Sequence, residues 1–217
     1  MSVTANIDLS ASWGPTLVQG ARSTCLAFAA SELNRDLNRT GFLLSAEYIY
    51  RAAARMSALW HPGAGLHLSD VSAALSHNGQ PADEHCFYLA DEPTENPPDL
   101  PALPALANLY KGRVQIISPT PQNVEAELLQ RTPVGLILKL TQTFLKPDLG
   151  IIDFSHMLLT VGMHHAVVAT GCGTCNDTGE LHFRIRNTWG QTWGDQGCAW
   201  IPRSYVQSHA VTAFKVN

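Results

Sequence analysis

Five prolines lie between residues 93 and 104, at Pro93, Pro97, Pro98, Pro101 and Pro104. Each fixes φ and removes a backbone donor, so the segment belongs to no helix or sheet interior and must cross the surface. It also separates two kinds of sequence. Before it, apolar residues recur at helical spacing. From Cys25 to Arg39 they are Leu26, Ala29, Leu33 and Leu37, with Ser23 and Thr24 as possible caps and Gly41 as a stop. A second helix begins at Ser45 and turns Tyr48, Ile49, Ala52 and Met56 inward, and a third runs from Ser69 to His77 on Val71, Ala74 and Leu75, with Gly79 after it. Beyond the prolines come short β runs: Val114–Ile117, Val134–Leu140, Ala166–Thr170, Ala199–Ile201 and Val211–Val216, with a helix from Val124 to Gln130 between the first two. Leu181, Phe183 and Ile185 alternate with His182, Arg184 and Arg186, the pattern of a half-buried strand. Helices followed by antiparallel strands predict an α+β protein. The 217 residues suit one domain over 1–217, mainly helical over 1–110 and mainly β over 111–217, with the proline-rich crossing as the boundary between lobes.

Composition narrows the function classes. With 45% hydrophobic residues and a net charge of −4, the chain is neither disordered nor basic enough to grip nucleic acid. No apolar run reaches the roughly 18–20 residues of a membrane span, and the start, Met1 to Pro15, lacks the basic and apolar stretches of a secretory signal. The first half is acidic and the second mildly basic. That asymmetry fits a polar cleft or a basic partner, or simply solvated surface charge. Five cysteines, at 25, 86, 172, 175 and 198, are an odd number in a chain long enough to fold without disulfides, which points to synthesis in a reducing compartment. Cys172 and Cys175 have the spacing of a metal or redox pair, but no second such pair accompanies them, and the glycines and Asn176-Asp177-Thr178-Gly179 around them read as a turn. Neither metal nor cofactor is expected.

Three segments carry chemistry. In Gln19-Gly20-Ala21-Arg22-Ser23-Thr24-Cys25 a cysteine opens a helix. Helix N-termini stabilise a thiolate, the form that attacks carbonyl carbon; the other reading is an inert buried thiol. His165 enters the apolar run Ala166-Val167-Val168-Ala169, 140 residues after Cys25, and Asn187 ends a strand 22 residues further on, before the glycine-punctuated loop from Trp189 to Gly197. His164 competes with His165 as a base. Neighbours in a strand face opposite ways, so only one of the two can serve. The remaining histidines have no such context.

These segments resemble the papain-like cysteine peptidases of family C1. The motifs are Gln19 with Cys25, Leu44-Ser45-Ala46-Glu47-Tyr48, His165-Ala166-Val167, and Arg186-Asn187-Thr188-Trp189-Gly190 leading to Trp193-Gly194, Gly197 and Ile201-Pro202, in the family's order from Gln19 to about Tyr205. The resemblance implies a helical N-terminal lobe and an antiparallel, barrel-like C-terminal lobe with the active-site cleft between them. It implies Cys25 as nucleophile, His165 as its imidazolium partner and acid, Asn187 as the orienter of His165, and Gln19 as oxyanion donor with the Cys25 backbone N–H. Trp189 would shield the His–Asn hydrogen bond. Gly65, Leu66, His164, Ala166 and Trp189 would meet the substrate, an extended peptide or protein. The family pattern selects His165 over His164.

Departures from that pattern are specific. Leu26 stands where plant and lysosomal members have Trp, Arg22 where they have a disulfide cysteine, and Cys198 where an aromatic is usual; the cleft's paired glycines are reduced to Gly63-Ala64-Gly65-Leu66. The changes resemble a reduced, bacterial-type branch. Family zymogens carry an inhibitory N-terminal extension, whereas here the nucleophile is at position 25. The expectation is therefore an effector or toxin, made in the cytoplasm and delivered by a specialised secretion system, with a separate inhibitor or immunity protein in the cleft. Two alternatives remain: a protein deamidase or acyl-transferase on the same fold, and a non-catalytic peptide-binding module.

Overall fold

The computed structural model describes all residues, Met1–Asn217. By internal contacts the chain divides into two compact units, Gln19–Gln115 with Val216–Asn217, and Met1–Val18 with Ile116–Lys215.

The first unit holds three helices: α1 (Cys25–Asn38), α2 (Ala46–Met56) and α3 (Leu68–His77). Every residue of α1 from Leu26 to Asn34 is buried, so this helix is the unit's core rather than an amphipathic surface helix. Its buried polar side chains are therefore paired. Ser31 Oγ donates to the Leu44 carbonyl at 2.9 Å, and Asn34 Nδ2 donates to Gln80 Oε1 and to the Tyr110 carbonyl, each at 3.0 Å. Ser45 caps α2, its hydroxyl accepting from Tyr48 N–H at 3.0 Å. Thr24 occupies the α1 N-cap without capping it; its hydroxyl instead meets Tyr88 Oη at 2.9 Å.

The periodicity located these helices and overran two ends. Leu37 and Met56, expected inside, are both 40% exposed, because each falls in the last turn of its helix, beyond the packed face. Helix α1 stops at Arg39, whose φ of 51° supplies the left-handed turn expected of Gly41. No regular element interrupts the proline-rich stretch from 93 to 104.

The second unit is built on a seven-stranded sheet in which six strands form one path, Val114–Ile117, Ala210–Val216, Val134–Lys139, His164–Cys175, Leu181–Arg186 and Cys198–Pro202 in that order, and the seventh, Val3–Asp8, pairs with His164–Cys175 off it. The strands are β1 (Val3–Asp8), β2 (Val114–Ile117), β3 (Val134–Lys139), β4 (His164–Cys175), β5 (Leu181–Arg186), β6 (Cys198–Pro202) and β7 (Ala210–Val216). Helices α4 (Pro121–Leu129), α5 (Gln142–Leu145) and α6 (Arg203–His209) complete it. Long β4 is the spine. Along one edge its first half pairs with β3 and its second half with β1; β5 takes the other edge. Leu136, Leu138, Val167, Phe183 and Ile201 from the sheet pack with Val124 and Leu128 of α4 and Tyr205 of α6 into one core.

Three expectations are corrected here. Residues 1–18 belong to the strand-rich unit, because β1 is antiparallel to β4, and the division near residue 110 moves to 115/116. Strand β5 is not half-buried: His182 and Arg186, on the face expected to be wet, are each 3% exposed. Cys172 and Cys175 lie in β4 rather than in a turn, and the turn follows them. Three residues apart in regular strand, they point to opposite faces. No disulfide joins any of the five cysteines.

Candidate active site

In the strand-rich unit, the register places His165 opposite Leu138 of β3 and pairs β4 with β5 from Val168↔Arg186 onward. Asn187, next after β5, therefore comes alongside His165. The ring's Nε2 donates to Asn187 Oδ1 at 2.7 Å. That direction follows from a second bond: the Thr188 backbone N–H donates to the same Oδ1 at 2.8 Å, so the atom is an oxygen and an acceptor. Nε2 must then carry the proton, which leaves Nδ1 as the basic nitrogen of the neutral ring. Asn187 is itself held by its backbone N–H on the Gly197 carbonyl at 2.9 Å, within the loop expected from the glycine spacing.

Aromatic rings enclose this pair. Trp189 lies 4.8 Å from the His165 ring centroid at an interplanar angle of 36°, and Phe144 meets the imidazole edge-on at 6.0 Å. Phe144 is fully buried and also contacts Trp189, while Trp193 Nε1 donates to its carbonyl at 3.0 Å. Sequence reasoning missed Phe144, since α5 is only four residues long and shows no period. Burial pushes the His165 pKa down to about 4, against the pull of the Asn187 hydrogen bond. The ring is therefore neutral near pH 7 unless an anion joins it.

His164 is exposed and Ala166 is buried, on the other face of β4. Gly65 and Leu66 lie in the helical unit, in the loop between α2 and α3, the first exposed and the second half-buried.

In the helical unit, Cys25 is the first residue of α1 and is partly exposed. A helix of 14 residues presents unsatisfied N–H groups and positive potential there, with no acidic residue in its first turn to oppose a thiolate. Gln19 is 7% exposed, and its side-chain Nε2 donates to the Arg22 carbonyl at 2.8 Å. Arg22 itself, at the position of the family's disulfide cysteine, is a buried cation: Nη1 meets Glu47 Oε2 at 2.5 Å and Nε meets Glu92 Oε2 at 2.9 Å. No cluster of three or more His, Cys, Asp or Glu side chains is placed to hold a metal ion.

The profile of the papain family cysteine protease matches residues 103–214, just over half of the chain, including His165, Asn187 and Trp189. The chain belongs to the papain family. Among its relatives, cysteine protease 1 of Oryza sativa subsp. japonica is 28% identical over 202 residues, covering 88% of this chain and 38% of the rice protein. The chain spans between 21% and 38% of the length of the curated relatives it matches. The fold agrees with solved papain-like structures. Xylellain, a cysteine protease from Xylella fastidiosa, superposes with a TM-score of 0.78 at 18% identity, covering 100% of this chain and 87% of that one. Procathepsin B S9 from Trypanosoma congolense gives 0.74 at 15% identity, covering 100% and 78%. At these identities the likeness concerns the fold, which is the α+β class expected.

Proposed function

We propose that this papain-family chain is a cysteine endopeptidase in which Cys25, His165, Asn187 and Gln19 form the catalytic set. The observation that carries the reading is the His165–Asn187 pair: an imidazole whose Nε2 proton is fixed by an acceptor, leaving Nδ1 to exchange a proton with a thiol. The reading requires the Cys25 thiol to reach that nitrogen. Proton transfer then gives thiolate and imidazolium, and the anion lifts the imidazole's otherwise depressed pKa. The thiolate attacks a peptide carbonyl carbon, and the oxyanion takes hydrogen bonds from the Gln19 amide and the Cys25 N–H. His165 Nδ1 protonates the leaving amine as the C–N bond breaks, giving a thioester. Water, losing its proton to His165, cleaves the thioester to the product acid and restores the thiol.

Protein or peptide is the proposed substrate, with Gly65, Leu66, His164, Ala166 and Trp189 as its contacts. A proteinaceous inhibitor is the proposed second partner, and an effector working in a reducing compartment the proposed setting. Ion pairs on Arg22 rather than a sulfur bridge support that setting.

The test compares wild type with Cys25→Ala on a whole-cell lysate, reading new chain termini by terminal-peptide sequencing. New termini that depend on Cys25 support the peptidase. Glutamine deamidation or acyl marks without chain cuts would replace it with an amidase or transferase, and no reaction, with no labelling of Cys25 by iodoacetamide, would reduce the chain to a binding module.

A further inference from the structure

The loop from Gln19 to Cys25 is fastened at several points, and Arg22 is involved in nearly all of them. Its carbonyl accepts from Gln19 Nε2 at 2.8 Å and from Thr24 N–H at 2.9 Å, so one oxygen ties the Gln19 side chain to the turn entering α1. Its guanidinium is held by Glu47 of α2, by Glu92 and by the Leu89 carbonyl, the last at 2.6 Å. Glu47 is in turn gripped by Arg51 Nε at 2.7 Å. The rings of Tyr50 and Tyr88 lie against the guanidinium, each with its centroid 4.8 Å from Cζ. Tyr50 Oη donates to Glu92 Oε1. Tyr88 Oη donates to the Gln19 carbonyl at 2.7 Å and meets Thr24 Oγ1 at 2.9 Å.

Glu47 and Arg22 have side chains 1% and 3% exposed. Charges this deep are retained at a desolvation cost, and a loop that only needed covering would take apolar residues. What a bidentate, stacked guanidinium gives that an apolar side chain does not is a fixed direction. Here the direction passes through the Arg22 backbone to one plane. An amide nitrogen carries two hydrogens, and anchoring one on the Arg22 carbonyl fixes where the other points.

We propose that Arg22 is a positioning residue for the oxyanion donor: clamped by Glu47, Glu92, Tyr50 and Tyr88, it holds the loop so that the Gln19 amide is aimed at the developing oxyanion. This rests on the reading of Gln19 as that donor. The arrangement does mechanically what a disulfide at this position would do, without an oxidant.

A double-mutant cycle tests it, with kcat and KM measured on a fluorogenic peptide amide chosen from a mixed-peptide library. Arg22→Lys keeps the charge and loses the fork; its kcat should fall about 10–100-fold with KM nearly unchanged. In a Gln19→Ala background the same change should cost less than about threefold, because the group being aimed is gone. Iodoacetamide alkylation of Cys25, which builds no oxyanion, should proceed at the wild-type rate in Arg22→Lys. An equal loss of kcat in both backgrounds, or a parallel loss of alkylation, would overturn the proposal and leave Arg22 as a support for the fold. If Arg22→Lys does not fold, Tyr88→Phe serves: it keeps the ring and removes the hydroxyl from Gln19, and should cost about 3–10-fold in kcat, again only when Gln19 is present. Unchanged kcat in Gln19→Ala alone would instead sink the reading of Gln19, and the proposal with it.

Discussion

Asn187 Oδ1 accepts two hydrogen bonds, and from that one atom the protonation of the neighbouring ring follows. Asn187→Ala should leave His165 free to rotate and to swap tautomers. We expect kcat to fall about 10–100-fold with KM little changed, in steady-state kinetics on a peptide amide. Under the proposed role of Gln19 as oxyanion donor, its loss acts on the transition state directly, so Gln19→Ala should lower kcat by about 10²–10³. His165 also leaves a mark on stability. In Cys25→Ala no thiolate can raise its pKa, so the folded ring holds out against protonation down to about 4 while the unfolded ring takes its proton near the ordinary 6.5. Between those values the unfolded chain binds more protons, so stability is full above about 6.5 and is lost as pH falls toward 4, by about 3 kcal/mol. Urea midpoints of Cys25→Ala across that range, compared with Cys25→Ala/His165→Gln, isolate the effect; identical pH slopes would refute it.

At the scale of elements, β1 and β4 approach across two glycines. A Cβ at Gly171 would sit 2.4 Å from the Ile7 carbonyl oxygen, and one at Gly173 would sit 2.5 Å from that of Thr4. Neither obstacle is a flexible side-chain end, so the strand itself must move. Gly173→Val should cost about 1–3 kcal/mol and raise amide exchange at residues 3–8 before it touches the β5 side of the sheet. The same strand shows where sequence reading runs out. Helices α1 to α3 were legible because packing repeats at their own period, and β3, β4 and β7 because they are apolar runs. Strand β1, VTANID, alternates apolar and polar residues but is short and mostly exposed; its partner is set by glycines more than 160 residues away, which no local pattern displays. Strand β5 misled for the converse reason. His182 and Arg186 are polar yet buried, Arg186 donating to the Gly14 and Pro15 carbonyls at 2.9 and 2.6 Å. Of the candidate site, His165, Asn187 and Trp189 sit in short motifs that the fold brings together, whereas Phe144 and the partners of Arg22 come from distant, patternless segments that no motif marks.

For the whole molecule, the absence of sulfur bridges separates two effects of a reductant. Dithiothreitol should leave the unfolding temperature unchanged while supporting the proposed peptidase activity by keeping Cys25 as a thiol, checked by scanning calorimetry beside an activity assay. A fall in unfolding temperature with reductant would show a covalent tie that this fold does not contain.

The strand-rich unit draws on both ends of the proline-rich crossing, with residues 1–18 and 116–215. Severed in the proline-rich stretch from 93 to 104, the chain would give one fragment carrying β1 without its mate and another in which the second half of β4 has an open edge. Such an edge is a template for a returning strand. The proline-rich crossing is therefore a place for reconstitution: two inert pieces, fused to a pair of interacting proteins, would regain the proposed proteolysis only when brought together.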